Sequence, residues 1–275
     1  ESESRGLGDV YKRQALIQGI TEFLPVSSSG HLILLPSLTK LGDQGALIDV
    51  AAHIGTLFAV IIYFWIDVKQ VLKAVPKVLR GQFTSPAARL LIALTFATIP
   101  VICVGAILKV TGLSETMRSV SVIGWAMLIF GLLLYFVDQR TTLHRELKTL
   151  TLPDAIKLGL WQAIALIPGT SRSGITITGA LWAGFTRKEA ARISMLMSIP
   201  TIVASGSLTS FDLIGGHVPL RDISIVILFS FVSALLALSL MMRLLNTISY
   251  TPYVVYRVFL GSVLIVLGYT NVLGF

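Results

Sequence analysis

The chain has 275 residues, 54% of them apolar and only 13% charged, with a mean hydropathy of +0.82. A soluble domain carries about 25% charged residues, so this composition excludes a disordered chain, a coiled coil, a collagen-like fibre and an ordinary soluble enzyme, and leaves an all-α polytopic membrane protein. The net charge of +8, which in a soluble domain would suggest nucleic acid, is read here as cytoplasmic loop cations under the positive-inside rule.

Residues 1–14 are polar, of mixed charge and unlike a signal peptide. They read as a foreign or misassembled leader before a single membrane domain over 15–275. The next segment, 15–38, is apolar but broken by Glu22, Pro25, the run Ser27-Ser28-Ser29-Gly30 and His31. A bilayer-spanning helix needs about 20 mostly apolar residues. Six stretches satisfy this, at 47–66, 90–108, 119–137, 193–211, 223–242 and 252–273. Between the third and fourth lies a second broken segment, 153–186, interrupted by Pro168, Gly169, Thr170, Ser171, Arg172, Ser173 and Gly174. Irregular backbone at membrane depth is tolerated only where protein or a water-filled cavity receives its polar groups. Both broken segments are therefore read as re-entrant helix–loop–helix hairpins.

Charge sets the orientation. Lys69, Lys73, Lys77, Arg80 and Arg89 fall in a 67–89 loop. Arg140, Arg145, Lys148 and Lys157 fall in 138–157, followed by Arg187, Lys188, Arg192 and Arg243; the opposite loops hold only Lys40, Lys109, Arg118 and Arg221. With the basic set in the cytoplasm, the first hairpin dips in from outside, the second from inside, and both chain ends lie outside.

The halves also resemble each other. Gln18 to Gly30 and Gln162 to Gly174 each span 12 positions with Gln, apolar residues, Pro, hydroxyls and Gly in order. Ala51-Ala52-x-Ile54-x-x-Leu57 recurs as Ala190-Ala191-x-Ile193-x-x-Leu196, and Thr98-Ile99-Pro100 is loosely echoed by Thr251-Pro252. The expected architecture is an inverted-topology repeat, copy one over 15–145 and copy two over 152–275. Each copy is one hairpin plus three spans, with the two broken tips meeting near the midplane.

Ionisable groups at that depth cost about 2.5–3.5 kcal/mol each on insertion scales and are functional by default. Glu22 and Arg172 stand out, one at each tip. In 168–174 the Pro and Gly stop a helix, and the next helix N-terminus, the hydroxyls and Arg172 form an anion site suited to phosphate. In 21–31, Ser28 and His31 are three apart, and an imidazole can activate a hydroxyl. Spacing leaves open which of them attacks. Glu22 could orient His31, act as a base or hold a divalent ion. Asp49 and His53, at i and i+4, share one helix face and read equally as further site groups or an interfacial pair. The single cysteine, Cys103, excludes an internal disulfide and a cysteine-rich metal site. Tyr63, Trp65, Trp125, Tyr135 and Trp182 read as belt or packing residues.

The segments QGITEFLPVSSSGH (18–31) and PGTSRSGITITG (168–179) are similar to the two signatures of the undecaprenyl-diphosphate phosphatase family, also called bacitracin-resistance proteins. The similarity extends to DVAAHIGTLFAV (49–60) and covers nearly everything from Ala15 onward. The resemblance implies an inner-membrane phosphatase that converts undecaprenyl diphosphate to the monophosphate. It implies catalytic roles for Glu22, Ser28, His31 and Arg172, and diphosphate binding by Ser27, Gly169, Ser171, Ser173 and Thr176. It also implies a divalent cation such as Mg²⁺, with Glu22 as a ligand. The first signature begins with either Glu or Gln. Here it is Gln18, counted with the substrate-binding residues, which leaves one carboxylate in that element and weakens a two-carboxylate metal site. The implied partners are the polyprenyl diphosphate lipid, the bilayer and a second copy of the chain in a homodimer, with no nucleic acid. The rival reading is a secondary transporter or flippase for an anionic substrate.

Overall fold

The computed structural model describes residues 2–34, 46–117, 119–212 and 219–270. Lys40, Arg118, the end of the first broken segment and the last three residues of the 252–273 stretch lie outside them. Among the described residues the fold is helical throughout. Its sole bridge of β type joins Arg145 to Phe185.

Helix α1 (Ser2–Phe23) runs without interruption through the stretch read as a leader and stops just before Pro25. A five-residue helix, α2 (Ser28–Leu32), follows the break. The second broken segment divides in the same way into α8 (Leu152–Ile164) and α9 (Arg172–Trp182). At 1.5 Å per residue, the 13 residues of α8 extend about 20 Å, short of a hydrocarbon core of about 30 Å. A capping box at its start, with Thr151 accepting from the Asp154 amide and Asp154 accepting from the Thr151 amide, fixes where α8 begins.

Among the described residues four helices are long and apolar enough to cross a bilayer: α5 (Pro86–Thr111), α7 (Val120–Arg140), α11 (Leu220–Leu244) and α12 (Thr251–Thr270). The boundaries follow local chemistry. Ser85 caps α5 ahead of Pro86, and Gly112, at φ 68°, closes it in the left-handed conformation that glycine adopts freely. A four-residue turn of helix, α6 (Leu113–Thr116), then leads to Ser119, which caps α7.

Two expectations change. The stretch read as a loop over 67–89 is mostly helix: α3 (Ala46–Tyr63) turns by 91° into α4 (Trp65–Leu79), and the two together make at most one further span. Residues 193–211 lie in α10 (Arg187–Asp212), which has the length of a span but misses the apolar standard the other four meet. The reason is its position. Ala190, Ala191, Ser194, Met197 and Ser198 are fully buried where α10 packs on α3, α5 and α9. A helix enclosed by other helices takes small and hydroxyl-bearing residues in place of lipid-facing leucines.

The packing partners fall into matching sets. Helix α1 lies on α11 and α8 on α5; α3 also lies on α11 and α10 on α5; α7 packs along α12. Several of the cations read as loop charges also serve as clamps. Arg187 holds the buried Asp138 at 2.6 Å, Arg192 holds Asp67 at 2.6 Å, and Arg145 holds Asp154 at 2.6 Å. The aromatics Tyr63, Trp65, Trp125, Tyr135 and Trp182 are exposed, and Cys103 is exposed too.

Candidate active site

The site grows from two strained turns. Ser27, before α2, has φ 73°, and Ser171, before α9, has φ 68°; among the described residues these are the only non-glycine positions with positive φ. Such strain costs of order 1–3 kcal/mol and persists where surrounding contacts over-determine the backbone. Those contacts are present. Ser27 Oγ lies 3.0 Å from Ser29 Oγ, and Ser171 Oγ lies 3.2 Å from Ser173 Oγ. The tips are also tied to each other. The Gly169 amide donates to Ser29 Oγ at 3.0 Å, and Ser173 Oγ donates to the Leu24 carbonyl at 2.9 Å.

Across this junction Arg172 donates to Glu22 Oε1 at 2.9 Å. Both side chains are largely buried, and Arg172 NH1 is buried without a partner. Glu22 Oε2 accepts from the Gln18 amide at 2.8 Å. The same amide lies 3.1 Å from His53 Nε2. His53 Nδ1 is 2.7 Å from the Asp49 carbonyl, which can only accept, so Nδ1 carries a proton and the neutral ring presents a lone pair at Nε2. Farther along α1, Gln14 donates to Asp49 at 2.6 Å. Gln14, Gln18 and Glu22 thus form one polar stripe on α1 facing Asp49 and His53 on α3.

Glu22, His53 and Arg172 open on a cavity of about 220 Å³ lined also by Thr21, Ser27, Ser28, Ser29, Ala165, Gly169, Ser171, Thr201, Ile202 and Ser205. Of the residues singled out in the sequence, Glu22, Ser27, Ser28, Gly169, Ser171 and Arg172 therefore meet at one place. Gln18 supports Glu22 from behind. Ser173 and Thr176 are fully buried beneath the tip, where Thr176 Oγ1 pairs with Ser194 Oγ of α10 at 2.6 Å. His31 does not line the cavity. Its Nδ1 donates to the Ser27 carbonyl at 2.7 Å, and its Nε2 accepts from the Tyr256 hydroxyl at 2.6 Å, with the two rings stacked. The imidazole at the cavity is that of His53.

The arrangement can bind a compact anion carrying two or more charges. It offers a partly unsatisfied guanidinium, hydroxyls from both tips and the first turn of α9. One carboxylate and one imidazole stand at its edge. Among the described residues no group of three or more His, Cys, Asp or Glu side chains is placed to hold a metal. Mg²⁺ commonly uses one or two carboxylates together with substrate phosphates and water, so Glu22 fits a cation carried in by the anion.

Motif reading did not single out Arg257 of α12. It is fully buried and donates from NH2 to the carbonyls of Thr170 at 2.8 Å and Gly169 at 3.3 Å. Its signal in the sequence was a lone cation inside the apolar stretch 252–273.

An all-helical polytopic membrane protein with a buried acid–guanidinium pair at the meeting point of two broken helices is thus defined. The family of bacitracin resistance protein BacA matches residues 13–263, and the chain belongs to that family. It is 60% identical over 258 residues to the undecaprenyl-diphosphatase of Ruegeria pomeroyi, covering 93% of this chain and 97% of that one. It is 55% identical over 257 residues to that of a Jannaschia species (93% and 96% covered), and 43% identical over 262 residues to that of Campylobacter concisus (92% and 96%).

Proposed function

We propose that this chain is an integral membrane phosphatase of the bacterial inner membrane that hydrolyses undecaprenyl diphosphate to undecaprenyl phosphate and inorganic phosphate. It would return the lipid carrier to cell-wall synthesis and so confer bacitracin resistance. The observation that carries this reading is the 2.9 Å bond from Arg172 to Glu22 across the two tips, beside a hydroxyl-lined cavity of about 220 Å³. The terminal phosphate sits among Ser27, Ser171, Gly169 and Arg172, where donors fixed in advance stabilise the charge that builds up in the transition state. Ser28 Oγ attacks the terminal phosphorus and water then cleaves the phosphoserine so formed to release inorganic phosphate, or a water beside Ser28 attacks directly. The bridging P–O bond breaks, and its electron pair leaves on undecaprenyl phosphate. Glu22 and His53 Nε2 are the groups at the cavity able to take the proton released. A divalent cation, Mg²⁺ in this reading, would be held by Glu22 and would offset phosphate charge. The isoprenoid tail follows the apolar groove of about 780 Å³ between α1 and α11, lined by Leu16, Ile20, Leu24, Leu236 and Tyr253 among others.

We read the two hairpins as an inverted repeat, supported by the paired packing of α1 on α11 and α8 on α5. Loop charge supports a cavity opening outward. A homodimer is part of the proposal and is checked by cross-linking in membranes. The decisive experiment uses detergent-purified protein, Mg²⁺ and a polyprenyl diphosphate. Phosphate release that Arg172→Ala abolishes in a folded protein supports the reading. Vectorial uptake into vesicles without phosphate release overturns it.

A further inference from the structure

Arg257 has an environment the reaction described above does not explain. Its guanidinium is fully buried between α7 and the second tip, in a slot kept open by glycines. A Cβ at Gly131 would lie 3.3 Å from Arg257 Cβ, and one at Gly174 would lie 2.8 Å from its NH1. NH2 is used on the Gly169 and Thr170 carbonyls, but NH1 and Nε have no partner, and among the described residues no carboxylate pairs with it. A buried cation in a membrane core is costly without a counter-charge or a ligand. The second tip therefore holds two guanidiniums and a helix N-terminus against the one carboxylate of Glu22.

The backbone shows how that charge could act. A trans peptide is planar, with its C=O and N–H on opposite sides. Drawing the Thr170 carbonyl to within 2.8 Å of Arg257 turns the following amide, that of Ser171, away from Arg257, and Ser171 lines the cavity. The residue also holds Gly169, whose φ of 91° only glycine adopts readily. We propose that Arg257 is a positioning residue for a diphosphate cradle: it fixes the 169–171 backbone with the Ser171 amide toward the cavity, and its unpaired charge is balanced when a diphosphate occupies that cavity. It does not itself line the cavity, so it acts through the loop and through the field it adds there. This inference rests on the phosphatase reading and deepens it.

The test titrates inorganic pyrophosphate into the full-length protein in detergent by calorimetry, alongside steady-state phosphate release from a polyprenyl diphosphate. Arg257→Gln is expected to weaken pyrophosphate binding and raise KM at least tenfold, while kcat changes less than KM. Arg257→Lys, which keeps the charge and one donor group, is expected to recover most of the affinity. Gly174→Ala, which crowds NH1 with the charge intact, should weaken binding in the same direction but less, and it carries the test if Arg257→Gln does not fold. An Arg257→Gln variant, or failing that a Gly174→Ala variant, that binds pyrophosphate within twofold of the unsubstituted protein overturns the inference. So does an equal loss in the Arg257→Lys and Arg257→Gln variants accompanied by an equal fall in melting temperature, which marks a packing role. Unsubstituted protein that neither binds pyrophosphate nor releases phosphate overturns the phosphatase reading itself, and this inference with it.

Discussion

The two tips share one backbone and differ in chemistry. Each places a serine at positive φ before a helix, Ser27 at 73° and Ser171 at 68°, and each pairs that serine with another two residues on. Around this common turn the side chains diverge. The first tip carries Glu22 before the break and Ser28 and His31 after it, where the second carries Leu166, Arg172 and Ile175. The hydroxyls are also used differently. Ser171 caps its own helix through the Gly174 amide, whereas Ser27 makes no such cap; of the two serines that reach across, Ser29 accepts from the Gly169 amide and Ser173 donates to the Leu24 carbonyl. Duplicated geometry supplies the cavity. The acid comes from one side and the guanidinium from the other, so under the proposed function neither tip alone would hold and polarise a diphosphate.

The sharpest way to break this division of labour is to remove its positive half. Arg172→Ala should lower phosphate release by at least about 10²–10³-fold, the usual cost of deleting one preorganised transition-state donor, measured as turnover in detergent. Exchanging the charges in a Glu22→Arg, Arg172→Glu double variant should keep the pair and the fold without restoring turnover. Full activity in that variant would show the tips to be interchangeable.

Next in size is the imidazole. His53→Ala is expected to lose about 10²-fold in turnover, no less than His31→Ala, because His53 lines the cavity while both ring nitrogens of His31 are engaged elsewhere. A His53 variant with unchanged kcat would return the role to His31.

A stability effect comes third. Gly169→Ala would place a methyl 2.3 Å from the Ile123 carbonyl at a φ of 91°. It should cost at least the roughly 1–3 kcal/mol of strained backbone in thermal unfolding. Gly81→Ala, also at positive φ but with open space around it, should cost less. The smallest effect is at the base of the second hairpin, where Thr151→Ala removes one helix cap and should cost about 1 kcal/mol, read as a modest fall in melting temperature without loss of turnover.

Much of this was legible in the sequence because membrane depth makes polarity conspicuous. Glu22, Arg172 and the serine runs stand out against apolar neighbours, and both breaks fall where Pro25, Pro168 and Gly169 mark them. Helix α10 was legible as a helix, but its enclosure by α3, α5 and α9 was not, since Ser194 and Ser198 look alike whether they face lipid or protein. The right-angle turn at Phe64 was hidden because the apolar run continues through Trp65 and Ile66 beyond the bend. His31 and His53 could not be ranked from spacing. The ring of His31 is drawn away by Tyr256, a residue 225 positions later. Arg257 was visible as a cation in an apolar stretch, yet only its three-dimensional neighbours reveal that its charge lacks a partner.

The bend at Phe64 has a mechanical consequence. Helix α4 runs at right angles to α3, with Lys69, Lys73 and Lys77 on it and Ile66, Leu72 and Leu79 exposed. Its Asp67 is bolted to Arg192 of α10, and two residues further along α10, Ser194 pairs with Thr176 beneath the second tip. The bend thus brings α4 to a place from which one ion pair and one pair of hydroxyls tie it to the floor of the second tip.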